Sequence, residues 1–350
     1  MKQPGTISMF AASILALSAG MANSQATFDT GNIPQPHLAA ARAIAAGENS
    51  WRQLGLATCY PDDADAAQLS TEQPPATKIF DNLYYVGNNN VSPYALDTSA
   101  GIILFDAMDN AKEVDEFIIP GLRKVGLDPA RLKVLIISHG HGDHFGGARY
   151  LKGKYGVKVY MSGPDWDMVE KQAKAQKPVT QRPIPANEQR LAPARDMVVK
   201  DGDTITLGDE TIKLFITPGH TPGALSMLVL VKDHGQKRLL AYFGGAGNQN
   251  LTLDLHAQFD RSWGRLVQLA ADAKVDGYFS NHPNYDGAIF KIEMLRSHPH
   301  NPNPYLIGTA DTVRFIKEVK ECNLNNIDIQ RKLPDWTIRA VRDHQPAPKG

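Results

Sequence analysis

Neither sign of charge is in excess. Lys and Arg number 37 and Asp and Glu number 37 in 350 residues, so the formal net charge at pH 7 is zero. A chain without a basic surplus has little with which to neutralise a phosphate backbone. That argues against nucleic acid as the main partner and leaves a small molecule or no partner. Cysteine is scarce: the two present are Cys59 and Cys322. Neither lies near a histidine motif, so no thiol nucleophile is implied. In an exported chain such a pair is expected to form a disulfide, here tying an N-terminal arm to a C-terminal helix, with two separate thiols as the alternative. Low-complexity tracts and repeats of 20–50 residues are missing as well, which excludes a solenoid or an array.

Long apolar runs are absent except at the start. Lys2 gives a short positive beginning, Ile7 to Gly20 is an apolar stretch broken only by small residues, and Ala22-Asn23-Ser24 offers the small side chains that a signal peptidase accepts. The run is too short to cross a bilayer comfortably, which takes about 20 apolar residues. A signal peptide over residues 1–24, cleaved before Gln25, is therefore expected, with a periplasmic or secreted protein and no membrane span after cleavage. Residues 25–77 are rich in Ala, Pro, Asp and Gln and form an N-terminal arm with a helix at His37–Ala46. The main domain runs from 78 to 350.

Within that domain the pattern is mixed α/β. Short β-rich segments are expected at Ile79–Val86, Tyr94–Leu96 and Gly101–Phe105, and a helix at Lys112–Lys124, where Val114, Phe117, Ile118 and Leu122 share one face. Leu132–Ile137 is a nearly unbroken apolar run, as for a strand buried on both sides. A helix at Ala148–Lys152 and a strand at Val157–Met161 follow, then a long loop over Lys171–Pro193. Further strands are expected at Thr204–Leu207, Thr211–Thr217, Leu225–Val231 and Leu239–Phe243. Two more strand–helix units end with the strand Gly277–Ser280 and a closing helix at Val313–Val319. Hairpins mixed with helices suggest two packed sheets with helices outside, in four layers.

The chemistry is concentrated in Ser138-His139-Gly140-His141-Gly142-Asp143-His144, directly after the Leu132–Ile137 run. Imidazole nitrogen and carboxylate oxygen are the ligands that zinc takes outside thiolate sites, and the interleaved glycines let the backbone aim several side chains at one place. His139 and His141 project together as alternate residues of an extended segment, whereas Asp143 and His144 point to a neighbouring spot. Packed as plain core, these groups would be buried polar atoms without partners. His220 in Thr217-Pro218-Gly219-His220-Thr221-Pro222-Gly223 and His282 in Ser280-Asn281-His282-Pro283 sit at two further strand ends, where sites in layered α/β folds gather.

The combination HxHxDH, GHTPG and a strand-end His resembles the metallo-β-lactamase superfamily over roughly Ile79 to Ile289. The resemblance implies a four-layer αββα metallo-β-lactamase sandwich with a two-metal cleft and two zinc ions per chain. His139, His141 and His220 would hold the first, and Asp143, His144 and His282 the second. Asp106, at the end of the strand Gly101–Phe105, matches a position that supports the metal loop from behind. Most hydrolases of the superfamily carry an Asp that bridges the metals in a Gly-Asp pair after the next strand. Here that strand runs into Gly244-Gly245-Ala246-Gly247-Asn248, with no acid or Cys. The pattern is most similar to the zinc β-lactamase subclass whose second site is Asp-His-His and which lacks the bridge. Serines that help hold the substrate carboxylate in that subclass are absent, with Asn248, Gln249 or Asn250 as candidate substitutes.

The expected mechanism follows from the ligand set. Three imidazoles leave zinc a fourth position for water, whose pKa falls to about 7. Asp143 accepts a hydrogen bond from that nucleophile and orients it, as the catalytic residue. The reaction is opening of an amide or ester carbonyl, with a β-lactam ring foremost. A lactonase or carboxylic-ester hydrolase, or a zinc-binding protein without turnover, are the alternatives. Val91-Ser92-Pro93-Tyr94, Trp166, Met168 and the Lys171–Pro193 loop are candidate substrate walls, with ordinary packing as the other reading. His256, His298 and His300 have no ligand context and are expected to be structural.

Overall fold

The computed structural model describes residues 34–46, 50–59, 73–175, 185–249 and 251–332. The expected signal peptide lies outside them, as do parts of the N-terminal arm and of the Lys171–Pro193 loop. The described residues belong to the unit Ile33–Gly350.

The strands are β1 (Thr77–Lys78), β2 (Leu83–Tyr85), β3 (Tyr94–Thr98), β4 (Gly101–Phe105), β5 (Leu132–Ile136), β6 (Lys158–Ser162), β7 (Met197–Val199), β8 (Thr204–Leu207), β9 (Glu210–Ile216), β10 (Leu225–Asp233), β11 (Gln236–Phe243) and β12 (Gly277–Ser280). They form a seven-stranded sheet in the order β1 to β7 and a five-stranded sheet in the order β12-β11-β10-β9-β8. Pairing is antiparallel from β1 to β4 and parallel from β4 to β7. In the second sheet only β11 and β12 run parallel.

Alternation along each strand builds the layers. On β4, Ile103 and Phe105 face the second sheet and meet Leu214, Met227, Tyr242 and Phe279 in one cluster. Ile102 and Leu104 point the other way, to Val114, Ile118, Leu122, Leu151 and Trp166 of the helices covering the first sheet. On β11, Tyr242 faces inward, while Ala241 and Phe243 pack with Phe259, Trp263 and Phe315 of the helices Leu253–Ala273 and Gly308–Lys332. The order of layers is helix, sheet, sheet, helix, as expected.

Several local expectations are corrected. The helix after β4 spans Ala111–Lys124 but contains a π turn at Val114–Ile118. Pro120, two residues beyond it, has no N–H for the usual i→i−4 bond, which accounts for the widened turn. Lys171 to Ala175 belong to a helix, Gly163–Ala175, rather than to a loop. The polar run there is made of good helix formers, and buried Trp166 and Val169 anchor it. After β11 the described chain adds one strand, not two, and the closing helix is 25 residues long.

Part of the N-terminal arm is built into this unit. The helix Pro36–Ala45 packs Ala41 and Ala45 against Leu56, Cys59 and Cys322, and Cys59 and Cys322 form a disulfide across 263 residues of sequence. In the chain-entropy account, closing a loop of that length removes about 5–6 kcal/mol of unfolded-state entropy. Among the described residues no helix is long and apolar enough to cross a membrane.

Candidate metal centre

All six candidate ligands come from strand ends at the seam between the sheets. β5 delivers the His139–His144 segment, β9 delivers His220, and β12 delivers His282 as the residue before the short helix Pro283–Asp286. Gly219 carries a φ of 147°, and a Cβ there would lie 2.5 Å from Phe259, so only glycine lets the turn pass the Leu253–Ala273 helix.

The geometry resolves into two groups, His139/His141/His220 and Asp143/His144/His282. Within each, the candidate ligand atoms lie within 4.8 Å of one another. His139 Nε2 is 3.1 Å from His220 Nε2 and 3.0 Å from His141 Nδ1. His144 Nε2 is 3.1 Å from His282 Nε2 and 3.3 Å from Asp143 Oδ2. The rings of His139 and His144 approach to 4.1 Å between centroids, so the groups adjoin.

For four of the five rings the opposite side fixes which nitrogen is bare. His139 Nδ1 donates to the Gly244 carbonyl and His220 Nδ1 to the Gly247 carbonyl, both at 2.6 Å. His282 Nδ1 donates to the Asn90 carbonyl at 2.6 Å, and His144 Nδ1 to Asp106 Oδ2 at 2.9 Å. A neutral imidazole that donates from Nδ1 presents a lone pair at Nε2. For His139 and His220 the lone pairs therefore face one another at 3.1 Å, an arrangement that a cation between them relieves. Four ligands around zinc at about 2.0–2.1 Å stand about 3.3 Å apart, close to the spacings seen. The residues present thus fit a metal pair.

Electrostatics separates the two groups. Burial pushes His139 well below its ordinary range, His141 to about 4 and His220 to about 3, with the neighbouring rings adding to the effect. A proton is therefore unavailable to screen their lone pairs. At His144 burial also opposes charge, but Asp143 and Asp106 outweigh it and raise the ring to about 10. Burial likewise acts to raise Asp143, while the surrounding imidazoles hold its carboxyl far below the usual carboxylate range. A metal held by this second group would have to displace a proton from His144.

Asp106 is fully buried and is the hub behind the second group. It accepts from Ser138 N–H at 2.7 Å, Ser138 O–H at 2.8 Å and Tyr242 O–H at 3.2 Å, besides His144. Sequence reasoning missed three supports. Asn281 Nδ2 donates to the Gly244 carbonyl at 3.0 Å and to Ser138 Oγ at 3.1 Å, Asn90 holds His282 through its backbone, and Asp165 links two loops. The first is His282's own neighbour in sequence; the others leave no local trace.

The expected substrate walls are largely corrected. Val91, Ser92, Pro93 and Tyr94 are buried. They face the core, and the Ser92 N–H bonds to the Asn281 carbonyl at 2.8 Å. Trp166 is buried too and donates to the Met197 carbonyl at 3.0 Å. Met168 packs beneath Gly140. From the expected loop, Arg190 does approach, lying against Gly142 and pairing with Asp109. Asn248 is buried and bonded to the Val319 carbonyl and Asn326, and Gln249 bonds to the Ala57 carbonyl, so neither is a substitute for the missing serines. Asn250 lies outside the described residues. His256 is buried against Asn323 Oδ1 at 2.6 Å, and His298 and His300 are exposed, all apart from the two groups.

Residues 86–233 match the family model described as the metallo-beta-lactamase superfamily, and that stretch carries five of the six candidate ligands. Among solved structures it is similar to a subclass B3 metallo-beta-lactamase of Bradyrhizobium japonicum, with a TM-score of 0.57, 25% identity and coverage of 79% of this chain and 100% of that one. It also shares the fold of a metallo-beta-lactamase from Legionella gormanii, with a TM-score of 0.59, 22% identity and coverage of 76% and 99%. By sequence it is 29% identical over 149 residues to a hydroxyacylglutathione hydrolase of Pseudomonas paraeruginosa, covering 41% of this chain and 46% of that protein. The chain thus matches about half the length of that curated relative.

Proposed function

We propose that this protein is an exported, zinc-dependent hydrolase that opens an amide or ester carbonyl, with a β-lactam ring as the leading substrate. The observation that carries the proposal is the pair of converging ring groups, each with two Nε2 atoms 3.1 Å apart, and with Nδ1 of His139, His220, His144 and His282 each bonded to a fixed acceptor. His139, His141 and His220 would hold one zinc ion, and Asp143, His144 and His282 the other. Export is supported by the Cys59–Cys322 disulfide and by the signal peptide expected over residues 1–24.

Zinc at these positions supplies Lewis acidity and lowers the pKa of water. The chain's own groups do the rest. The carbonyls of Gly244, Gly247 and Asn90, with Asp106, hold the imidazoles of His139, His220, His282 and His144 in one tautomer and orientation. Asp143, a quarter exposed and kept ionised by its neighbours, turns Oδ2 toward His144 and His282; Oδ1 accepts the hydrogen bond that orients the attacking water.

The β-lactam reading is supported by the absence of an acid in Gly244–Asn248 and by the subclass B3 neighbours. Two facts favour the second reading, an ester or thioester hydrolase. Gly245 and Gly247 place no hydroxyl beside His220 for a substrate carboxylate, and the curated relative is a hydroxyacylglutathione hydrolase. Purified protein with saturating zinc, assayed on nitrocefin, a carbapenem, lactones, aryl esters and an acyl-glutathione thioester, separates them. Nitrocefin and carbapenem turnover supports the first reading. Turnover of esters or thioesters alone supports the second. Stoichiometric zinc without turnover of any carbonyl substrate leaves a zinc-binding protein and sinks both.

A further inference from the structure

Each candidate metal group straddles the two sheets, so each needs a tie across the seam. For the second group the ties are visible at Asn90, Ser92 and Asn281. For the first group, His139 and His141 come from the seven-stranded sheet and His220 from the five-stranded one. The residue spanning these two loops is Asp165, in the first turn of the helix Gly163–Ala175. Its carboxylate is fully buried. Oδ2 accepts from the Gly140 N–H, between His139 and His141, at 2.8 Å, and from the Thr221 O–H, next to His220, at 2.7 Å. Oδ1 accepts from the Gly223 N–H at 2.7 Å. Close approach is built in on both sides. A Cβ at Gly140 would strike Met168 at 2.7 Å, and one at Gly223 would strike Ser162 Oγ at 2.0 Å and Asp165 Oδ1 at 3.0 Å. The two glycines of the ligand loops are thus pressed onto this one helical turn.

We propose that Asp165 is a positioning residue that sets the separation of the His139–His141 loop from the His220 turn, and so the metal affinity of the first group and not the second. This rests on the metal-hydrolase reading above. The chemistry makes a sharp substitution available. In Asp165→Asn the amide has one oxygen and one NH2, so whichever way it turns, the NH2 faces a backbone N–H, that of Gly140 or that of Gly223. Thr221→Val removes only the hydroxyl partner and keeps the shape.

The test is a zinc titration of the metal-stripped full-length protein against a chromogenic chelator. The two binding steps are assigned by His220→Ala and His282→Ala, each of which abolishes one. Asp165→Asn is expected to weaken the His220-dependent step about 10–100-fold, the usual range for groups that orient ligands, and to leave the His282-dependent step within a few-fold. Thr221→Val should show a smaller loss in the same step. Activity lost at limiting zinc should return at excess zinc. Equal weakening of both steps, tracking a fall in melting temperature, overturns the proposal in favour of a merely structural role, as does an unchanged titration in Asp165→Asn. Wild-type protein that takes up no zinc overturns the metal reading itself, a result distinct from both.

Discussion

Asp106→Asn is the substitution that most sharply tests how the second metal group is held. The carboxylate accepts four hydrogen bonds, three of them at Oδ2 from Ser138 Oγ, His144 Nδ1 and Tyr242 Oη. Asparagine fits the same space, and it tolerates the residue's φ of 62° almost as well as aspartate does, so the backbone is not the variable. If its oxygen takes the Oδ1 position, the NH2 faces His144 Nδ1. The two hydroxyls can rotate to accept, but the ring must shift its proton to Nε2, where it points at His282 and blocks a ligand lone pair. If the amide turns over, the NH2 faces the Ser138 N–H instead, and a buried donor goes unsatisfied at a cost of about 1–3 kcal/mol. Whichever route is easier sets the loss, so the second zinc is expected to bind about 10–100-fold more weakly. The first group makes no hydrogen bond to Asp106 and should change by no more than a few-fold. Chelator-competition titration reads both constants in one experiment. Unaltered affinity for the second zinc, with wild-type thermal stability, would refute the claim that Asp106 selects the tautomer of His144.

Two further outcomes follow from single groups. His141→Ala removes the half-buried ring that offers Nδ1 to the first group; zinc stoichiometry by elemental analysis should fall from two toward one and turnover should be lost, and full activity would refute the assignment. Lys291 is fully buried between the rings of Tyr278 and Tyr305, and burial pushes it from 10.5 down to about 8, with Asp286 pulling it partly back. A folded pKa below the unfolded one means stability is gained as pH rises from about 8 to 10.5, by about 3 kcal/mol at ~1.4 kcal/mol per pH unit. Denaturant melts of wild type and Lys291→Met across that window should therefore diverge; parallel curves would show that Lys291 is not the group responsible.

How much of this was legible in the sequence depended on how local each signal was. The HxHxDH segment declared itself because its members lie within six residues, and alternate residues at a strand end share a direction. The layers were legible because β4 and β11 alternate between two apolar faces. Asp165 was not, because its partners Gly140, Thr221 and Gly223 lie 25, 56 and 58 positions away. Trp166 and Tyr94 were candidates for walls because an apolar side chain carries the same pattern whether it lines a cleft or fills a core.

The glycine run after β11 shows the limit best. In the sequence, Gly244, Gly245 and Gly247 stand out for what they lack, an acid to bridge metals and hydroxyls to hold a substrate. In the structure the Gly244 and Gly247 carbonyls take the Nδ1 protons of His139 and His220. A Cβ at Gly245 would stand 3.0 Å from His220 Cβ, and one at Gly247 would stand 2.8 Å from Tyr285 Oη and 3.3 Å from His220 Cε1. Side chains at either position crowd the ring that the backbone holds. The missing side chains are thus the condition for backbone acceptors to reach two of the three first-group histidines, a role that no residue letter encodes.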